Sequence, residues 1–441
     1  MLRRAVKGMI GSMGVRMGYL VSALALISMA LASCAEAGAP ALEPPTRLPA
    51  APAAGNTPPA SPSGVVPAPT PGAGPTLLSN GRSSANAALV PTALEIPPGI
   101  SFSPKTVYLP PGFRMAVLAA GLGSPRFMAF DEAGNLLVAD ESGSVYRYTA
   151  RGGVIAPSDR PPPPLLTGLD NPSSIAIHDR YLYVGETSRI TRYRYAADGA
   201  PGAREVVVPD LPTGGHFTRT VVFGPDGKLY VSVGSSCNIC DETDERRAAI
   251  LRYNPDGSGY ERFAWGLRNA VGLAFQPGTG LLWATVNERD NQGNEIPPDL
   301  VTIVRKGENF GWPHCQPPDA RPQTPADVCT GITPPTIGIQ AHSAPLGLAF
   351  YTGTIFPSAY RSDLFVVQHG SWNREPPAPP QVLWIHFAGG QPVDVKDFAT
   401  GWQLADGSRW GRPAGIVQAP DGSLIVSDDQ AGLLYRISYQ A

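Results

Sequence analysis

The sequence is poor in charge and in histidine, and it has no extended amphipathic helical pattern. Charged residues are 16% of its 441 residues, the formal net charge is −2, and there are six histidines. Without a basic excess, no nucleic-acid partner is expected. Glycine and proline are instead abundant, with 49 of each. This composition is typical of a turn-rich all-β protein joined to a disordered segment.

Long hydrophobic runs are also scarce, and the main one is near the N-terminus. Tyr19–Ala32 is short for a membrane span but suits the core of a signal peptide, and basic residues precede it. It ends in Leu31-Ala32-Ser33-Cys34, which is similar to a bacterial lipobox. We predict a lipoprotein signal peptide over residues 1–33 and lipid on Cys34, with an ordinary cleavage site as the alternative. The expected location is the bacterial cell envelope, on the periplasmic or extracellular face.

The next segment is rich in Ala, Pro, Gly, Ser and Thr. It contains too few apolar residues to bury a core, so residues 34–100 are predicted to be a disordered tether. The folded domain is predicted to occupy residues 101–441.

Cysteine is limited to five residues, of which four remain once Cys34 is assigned to the lipid. An even number in an oxidising compartment favours two disulfides, and proximity in sequence pairs Cys237–Cys240 and Cys315–Cys329. No histidine follows Cys240, so covalent haem is not expected. A single CxxC is a weak indication of zinc, and a redox-active disulfide at Cys237–Cys240 remains an alternative.

From about residue 101 the sequence repeats a pattern of two alternating strands joined by a glycine-containing turn. Six aligned apolar positions mark the repeats: Phe130, Ile177, Phe223, Phe275, Phe350 and Val417. Alternation of period two with such turns predicts antiparallel hairpins. Six units at this spacing predict a six-bladed β-propeller, with a strand from Tyr108–Ala120 closing the ring against the last blade.

In a propeller, the residues immediately before each inner strand gather at one end of the central channel. Here that set is polar and cationic, which favours an anionic ligand; it includes Arg126, Asn171, His216, Arg268, Asn269, Ala344 and Arg412. His216 follows two glycines and is predicted to be a general base; a histidine bonded to a strand carbonyl is the alternative. Arg268 and Asn269 could bind a carboxylate or stabilise an oxyanion, and an inter-blade salt bridge is the alternative.

Two further segments are candidates for binding a metal ion or a cofactor. The loop from Glu288 to Asp299 is rich in oxygen-bearing side chains, which suits calcium; a solvated acidic loop is the alternative. The segment from Gln368 to Arg374 presents Trp372 beside a cation and could cover a flat, charged cofactor. A tryptophan packed in a long loop is the alternative there.

Several phrases together resemble the quinoprotein glucose/sorbosone dehydrogenase family, and the sorbosone-type branch most closely. They are GGHFTRTVVFGPDGKLYVSVGSSCNIC, GLRNAVGLAF, LWATVNERD, GENFGWPHC and FVVQHGSWNR. The resemblance covers roughly Gly112 to Tyr439. It implies a six-bladed propeller that binds pyrroloquinoline quinone and calcium and oxidises an aldose or an aldehyde hydrate.

The resemblance also implies residue roles. His216 would be the base and Arg268 would act at the quinone carbonyl, both as catalytic residues. Calcium would lie at the segment Glu288, Arg289 and Asp290, largely on main-chain carbonyls. This chain lacks the lysine of the glucose-oxidising members, and Arg374 is expected to replace it. The full set of expected cofactor-binding residues is Arg126, Arg219, Asn269, Trp372, Arg374, Arg409 and Arg412.

The sequence contains no haem motif, so the electrons are expected to pass to an external acceptor. Two alternatives remain open. One is a non-catalytic, lipid-anchored propeller that binds sugars or proteins. The other is a metal-dependent propeller hydrolase of the lactonase type.

Overall fold

The structure, a computed structural model, describes residues 88–440. The predicted signal peptide, Cys34 and most of the predicted tether lie outside the described residues. Three strands precede the first complete sheet: β1 (Val90–Ala93), β2 (Thr106–Leu109) and β3 (Phe113–Ala119). β1 pairs with β2 in a two-stranded sheet.

The first three blades are four-stranded antiparallel sheets formed by consecutive strands. Blade 1 contains β4 (Pro125–Phe130), β5 (Leu136–Asp140), β6 (Ser144–Tyr148) and β7 (Pro164–Leu166). Blade 2 contains β8 (Ser174–His178), β9 (Tyr181–Glu186), β10 (Arg189–Arg194) and β11 (Arg204–Val208). Blade 3 contains β12 (Val221–Phe223), β13 (Leu229–Val233), β14 (Ala249–Tyr253) and β15 (Glu261–Trp265).

The remaining blades carry the insertions. Blade 4 contains β16 (Ala270–Phe275), β17 (Leu282–Val286), β18 (Asp299–Val304) and β21 (Ile337–Ile339), with a small hairpin of β19 (Cys315–Gln316) and β20 (Arg321–Pro322) between the last two. Blade 5 contains β22 (Pro345–Phe350), a 3-10 turn (Ser358–Tyr360), β23 (Leu364–Gln368), β24 (Gln381–Ala388) and β25 (Gln391–Ala399). Blade 6 contains β26 (Pro413–Gln418), β27 (Leu424–Asp428) and β28 (Leu433–Tyr439), completed by β3.

The predicted six-bladed propeller and its ring closure are confirmed. β3 pairs antiparallel with β28, with Met115 opposite Ile437. The second strand of most blades is buried along its whole length, as in β13 and β17. Such strands carry nearly continuous apolar runs because neighbouring blades cover both of their faces.

The boundary predicted for the tether is wrong at its C-terminal end. Residues 90–93 form a strand, and Leu94 is buried in the core between the last blades. The Glu95 N–H donates to the Met115 carbonyl, and the Val117 N–H donates to the Glu95 carbonyl. The ordered domain therefore includes residues before 101, because a short apolar segment inside a polar stretch finds a partner strand elsewhere in the chain.

Hydroxyl groups tie neighbouring blades together close to the channel. Ser174 Oγ donates to the Arg219 carbonyl of the next blade at 2.7 Å, and Thr285 Oγ1 donates to the Leu346 carbonyl at 2.6 Å. Ser427 Oγ donates to the Arg126 carbonyl at 2.5 Å and so links the last blade to the first. These bonds satisfy inner-strand carbonyls that have no partner strand on the channel side.

The inner strands of blades 1, 4, 5 and 6 have a β-bulge directly after their first residue, at Pro125, Ala270, Pro345 and Pro413. A bulge redirects side chains and often lies beside a functional site. Glycine permits the close approach at these points: a Cβ on Gly272 would lie 2.1 Å from the Leu346 carbonyl oxygen. Among the described residues, no helix is long and apolar enough to cross a bilayer.

Candidate active site

A cavity of about 350 Å³ opens where the inner strands begin. This volume is in the range of small-molecule sites. Five blades contribute the residues that the sequence placed before the inner strands: Arg126, His216, Arg268, Asn269, Ala344 and Arg412. Asn171 of blade 2 is not among the lining residues. Val271 and Leu346 also line this cavity, and they cluster with Ala414 and Phe127.

His216 is held by its backbone and by one ring nitrogen. Its N–H donates to the Ser235 carbonyl at 3.0 Å, and its Nδ1 lies 2.9 Å from the same oxygen. Because a carbonyl oxygen only accepts, Nδ1 carries the hydrogen and Nε2 is left with its lone pair. Gly215 allows this approach, since it has a φ of +69° and a Cβ there would lie 2.5 Å from Ser236. The alternative of a carbonyl-bonded histidine is therefore also true, and that bond fixes the tautomer a base needs.

Burial lowers the pKa of His216 to about 4, and the positive charge of Arg268 adds to the effect. The hydrogen bond to Ser235 and the carboxylate of Asp290 oppose this shift. The imidazole is consequently neutral at pH 7 and able to accept a proton.

Arg268 is 4% exposed and most of its donors are already engaged. Nη1 donates to the main-chain oxygens of Asn287 (3.2 Å) and Glu288 (2.8 Å), and Nη2 donates to Asp290 Oδ2 at 2.7 Å. Nε donates to the Asn238 carbonyl. A guanidinium has five N–H groups, so one remains for a ligand in the cavity. The salt bridge of Arg268 is with Asp290, which follows β17 of the same blade, so it is not the inter-blade salt bridge that was the alternative.

Two more histidines border the cavity, and the sequence analysis did not single them out. His369 Nε2 lies 2.8 Å from Asp429 Oδ1, and Asp429 Oδ2 accepts from Arg126 Nη1 at 2.5 Å. His342 Nε2 lies 2.7 Å from the Gly293 carbonyl. Both acceptors lack a hydrogen, so each ring carries its proton on Nε2. Burial lowers the pKa of His369 to about 4.

The position of His369 follows a rule that could have been applied to the sequence. In an antiparallel hairpin the end of the second strand lies beside the start of the first; Pro345 is opposite Gln368, for example. The residues that follow the second strands thus form another ring beside the first one. In blades 1, 4, 5 and 6 they are Glu141, Asn287, His369 and Asp429.

The structure places the three residues predicted at the metal site in different environments. Glu288 and Arg289 form a buried ion pair at 2.6 Å, and Arg289 Nη2 donates to the carbonyls of Pro313 and Cys315. Their side chains are therefore committed to the protein, and Arg289 does not line the cavity. The Asp290 carboxylate does line it, bonded to Arg268 and to Asn373 Nδ2. Burial raises the pKa of the neighbouring Asp299 to about 7.

Oxygen atoms without hydrogen-bond partners also lie at this cavity. Among the described residues, the amide oxygens of Asn269, Asn287 and Asn373 are buried and unpartnered. Buried polar atoms are normally satisfied, so three orphaned acceptors around one cavity indicate a ligand or a cation.

Three of the predicted cofactor-binding arginines, Arg219, Arg374 and Arg409, do not line the cavity. Arg219 is fully buried and donates to the carbonyls of Pro212, His216 and Thr218, so it supports the His216 backbone from behind. Arg374 pairs with Glu295 at 2.6 Å, and Arg409 donates to Gln403 and Ala378. Sequence position could not separate these arginines from Arg126 and Arg412, because the direction of each side chain depends on tertiary packing.

Trp372 is 73% exposed and borders the cavity, together with Phe217, which is 42% exposed. The alternative of a packed tryptophan therefore does not hold.

The Arg412 side chain donates to the His369 and Gly370 carbonyls, and its backbone N–H donates to the Asp428 carboxylate. Its guanidinium adds a positive charge to the lining of the same cavity.

Both cysteine pairs are joined by disulfides, Cys237–Cys240 and Cys315–Cys329. In the part of the chain that the structure describes, one cluster of metal-ligating residues is present, formed by Cys237, Cys240 and Glu242. Its two thiols are consumed by the disulfide, so it is not a zinc site.

The protein is a six-bladed propeller. Its cavity lies at the end of the channel and is lined by histidines and arginines. The profile of the TrAA12-like family matches residues 107–318 and 306–440, and the chain belongs to this family. The quinoprotein sugar dehydrogenase resemblance found in the sequence is thereby confirmed, while its sorbosone-type branch stays a prediction.

The chain is also similar to individual proteins and, in its fold, to a solved structure. The chain is 25% identical over 398 residues to the pyrroloquinoline quinone-dependent sugar dehydrogenase of Hypocrea jecorina, covering 75% of this chain and 89% of the relative. It is 27% identical over 252 residues to the aldose sugar dehydrogenase YliI of Escherichia coli, covering 52% of this chain and 62% of the relative. A calcium structure of a Trichoderma reesei family AA12 enzyme superposes with a TM-score of 0.69 at 21% identity, covering 78% of this chain and all of that one.

Proposed function

We propose that this protein is a quinoprotein dehydrogenase that oxidises a hydroxyl-bearing carbon of an aldose or an aldehyde hydrate. The observation that carries the proposal is the neutral His216, whose unprotonated Nε2 belongs to a ring lining a cavity bordered by buried arginines. The names of the curated relatives support the same activity.

The cavity suits a flat quinone that bears carboxylates. Arg126, Arg268 and Arg412 supply positive charge at three places on its wall. Trp372 offers an exposed aromatic face at the same cavity, and aromatic rings favour stacking against planar groups. We therefore propose pyrroloquinoline quinone as the cofactor, held by these four residues and Asn269.

The oxygen atoms at the cavity suit calcium, which prefers neutral and anionic oxygen ligands. The proposed set is the unpartnered amide oxygens of Asn269 and Asn287, because the main-chain oxygens of Asn287 and Glu288 already accept from Arg268. The Arg289 side chain is excluded from this set by its ion pair with Glu288.

The mechanism begins with proton transfer to His216. A substrate hydroxyl donates to Nε2, and as its proton moves there the bond to Ser235 keeps the ring in place. A quinone held by Arg126, Arg412 and Trp372 would supply the two-electron acceptor for the hydride equivalent of the substrate carbon. Arg268 supplies a fixed positive charge beside the reacting atoms, without reorganisation, because four of its hydrogen bonds already hold it.

Two further proposals concern the setting of the enzyme. We propose that a lipid on Cys34 anchors it to the cell envelope and that a separate protein or small molecule accepts its electrons. Metabolic labelling with a tritiated fatty acid tests the anchor: incorporation that a Cys34→Ala variant abolishes supports it, and equal incorporation by both proteins contradicts it.

The activity can be tested with the chain from residue 35 onward. The protein is treated with chelator and then given calcium, pyrroloquinoline quinone or both, and reduction of an artificial dye is followed with a panel of aldoses. Turnover that requires both additions is the expected result. Absence of turnover, with no change in quinone absorbance on mixing, would refute the proposal and leave a binding propeller.

A further inference from the structure

The loop closed by the Cys237–Cys240 disulfide makes contacts beside the cavity that the proposed function does not explain. It follows the third-blade strand β13 and lies against the loop after β17, which carries Asp290. Its Asn238 makes bonds in both directions: Nδ2 donates to the Asp290 carbonyl at 2.9 Å, and Oδ1 accepts from the Asp290 N–H at 2.8 Å. This amide therefore satisfies both backbone groups of one residue.

The main chain of Asn238 is engaged as well. Its carbonyl accepts from Arg268 Nε at 3.2 Å and from Trp312 Nε1 at 3.0 Å. Since Arg268 Nη2 also donates to the Asp290 carboxylate, Asn238, Asp290 and Arg268 form a closed ring of hydrogen bonds. Two members of the ring, Arg268 and Asp290, line the cavity, whereas Asn238 does not.

The same loop reaches His216 through Ser235. Ser235 Oγ donates to the Cys237 carbonyl at 2.7 Å, so the hydroxyl hydrogen is used there. The two oxygens of Ser235 are then both turned to His216 Nδ1, at 2.9 Å and 3.1 Å. The loop thus contacts both the Arg268–Asp290 pair and the serine that holds His216.

We propose that Asn238 is a positioning residue, and that the disulfide-closed loop Cys237–Cys240 fixes the directions in which Arg268, Asp290 and His216 meet the cavity. Asparagine suits this task because one short side chain offers a donor and an acceptor side by side. Aspartate lacks the donor, and alanine lacks both. The kinetic part of the test rests on the proposed dehydrogenase function, but the structural part does not.

The test compares Asn238→Ala with Asn254→Ala. Asn254 is a matched control because its amide also bonds in both directions, to Lys228 and Ser258, but in a hairpin turn that does not line the cavity. The first readout is the NMR titration of His216 in protein without cofactor, assigned with a His216→Asn variant. Arg268 is the nearby charge that most lowers the pKa of His216. Asn238→Ala removes the two bonds that hold the Asp290 backbone, so the Asp290 carboxylate and the Arg268 bound to it should move away from His216. The midpoint should then rise by about 1 unit, and Asn254→Ala should leave it unchanged.

The second readout is dye-linked turnover of the protein loaded with quinone and calcium. Asn238→Ala should lose about 10- to 100-fold in kcat, the usual effect of removing a residue that orients a functional group, while KM changes less. Unaltered midpoint and unaltered kcat in a folded Asn238→Ala protein would overturn the proposal. If even the unmodified protein shows no turnover, the proposed function fails, and the titration still decides the role of Asn238.

A second pair of variants covers the case in which Asn238→Ala does not fold. Cys237→Ser/Cys240→Ser opens the loop, and Cys315→Ser/Cys329→Ser removes the other disulfide as its control. The first double variant should raise the His216 midpoint and the control should not. Equal midpoints in folded forms of both would count against the proposal.

Discussion

At the scale of single residues, His216 shows how a fixed tautomer makes a base. The Ser235 carbonyl holds the hydrogen on Nδ1, and burial keeps the ring neutral. We expect His216→Asn to lower kcat by about 10²- to 10⁴-fold, the usual contribution of a general base, with quinone binding retained. Stopped-flow dye reduction and quinone absorbance measure the two effects separately. Full turnover in His216→Asn would show that the base is another residue.

The low pKa of His216 also predicts the acid side of the pH profile. Activity that needs the neutral ring should be constant above about pH 5 and should fall as the pH drops through about 4. The kcat/KM profile of the loaded enzyme measures this limb. In the residual activity of His216→Asn the limb should disappear. If it persists there, it belongs to another group, and His369 is the candidate to test next because burial lowers its pKa to a similar value.

At the scale of single elements, the loop after β17 depends on the buried pair of Glu288 and Arg289. Arg289→Ala would leave the Glu288 carboxylate buried without its partner, and we expect a loss of about 3–5 kcal/mol in the free energy of unfolding. Urea unfolding followed by tryptophan fluorescence measures it. The double change Glu288→Leu/Arg289→Met removes both charges and should recover most of the loss. A stable single variant would mean that water reaches the carboxylate.

The same loop shows where reasoning from sequence was sufficient and where it was not. The sequence predicted that the loop is rich in oxygen-bearing side chains, but it could not predict the partner of each carboxylate. Glu288 turns inward to Arg289, and Asp290 turns to Arg268, because adjacent residues in an irregular loop point in directions that only neighbouring elements determine. The same reason explains why Arg219, Arg374 and Arg409, which were predicted to bind the cofactor, do not line the cavity.

At the scale of the whole molecule, the start of the folded domain can be measured. Leu94 is 4% exposed, and the backbone of Glu95 makes two hydrogen bonds with β3, the strand that closes the ring. A chain that begins at residue 101 should therefore melt at a lower temperature than one that begins at residue 88, because the edge of the closing strand loses these partners. Differential scanning calorimetry compares them. Equal melting temperatures would mean that the segment adds nothing to ring stability.

The sequence alone determined the propeller, its six blades and its ring closure, because strand alternation and turn residues are local signals that repeat six times. It also determined that Arg126, His216, Arg268 and Arg412 share one cavity, since the start of every inner strand faces the same end of the channel. Only the tertiary structure decided the second ring of residues, which includes His369 and Asp429, and the bonds of Asn238. Those contacts join residues that are distant in sequence, and their hydrogen bonds depend on side-chain directions that the packing of neighbouring blades sets.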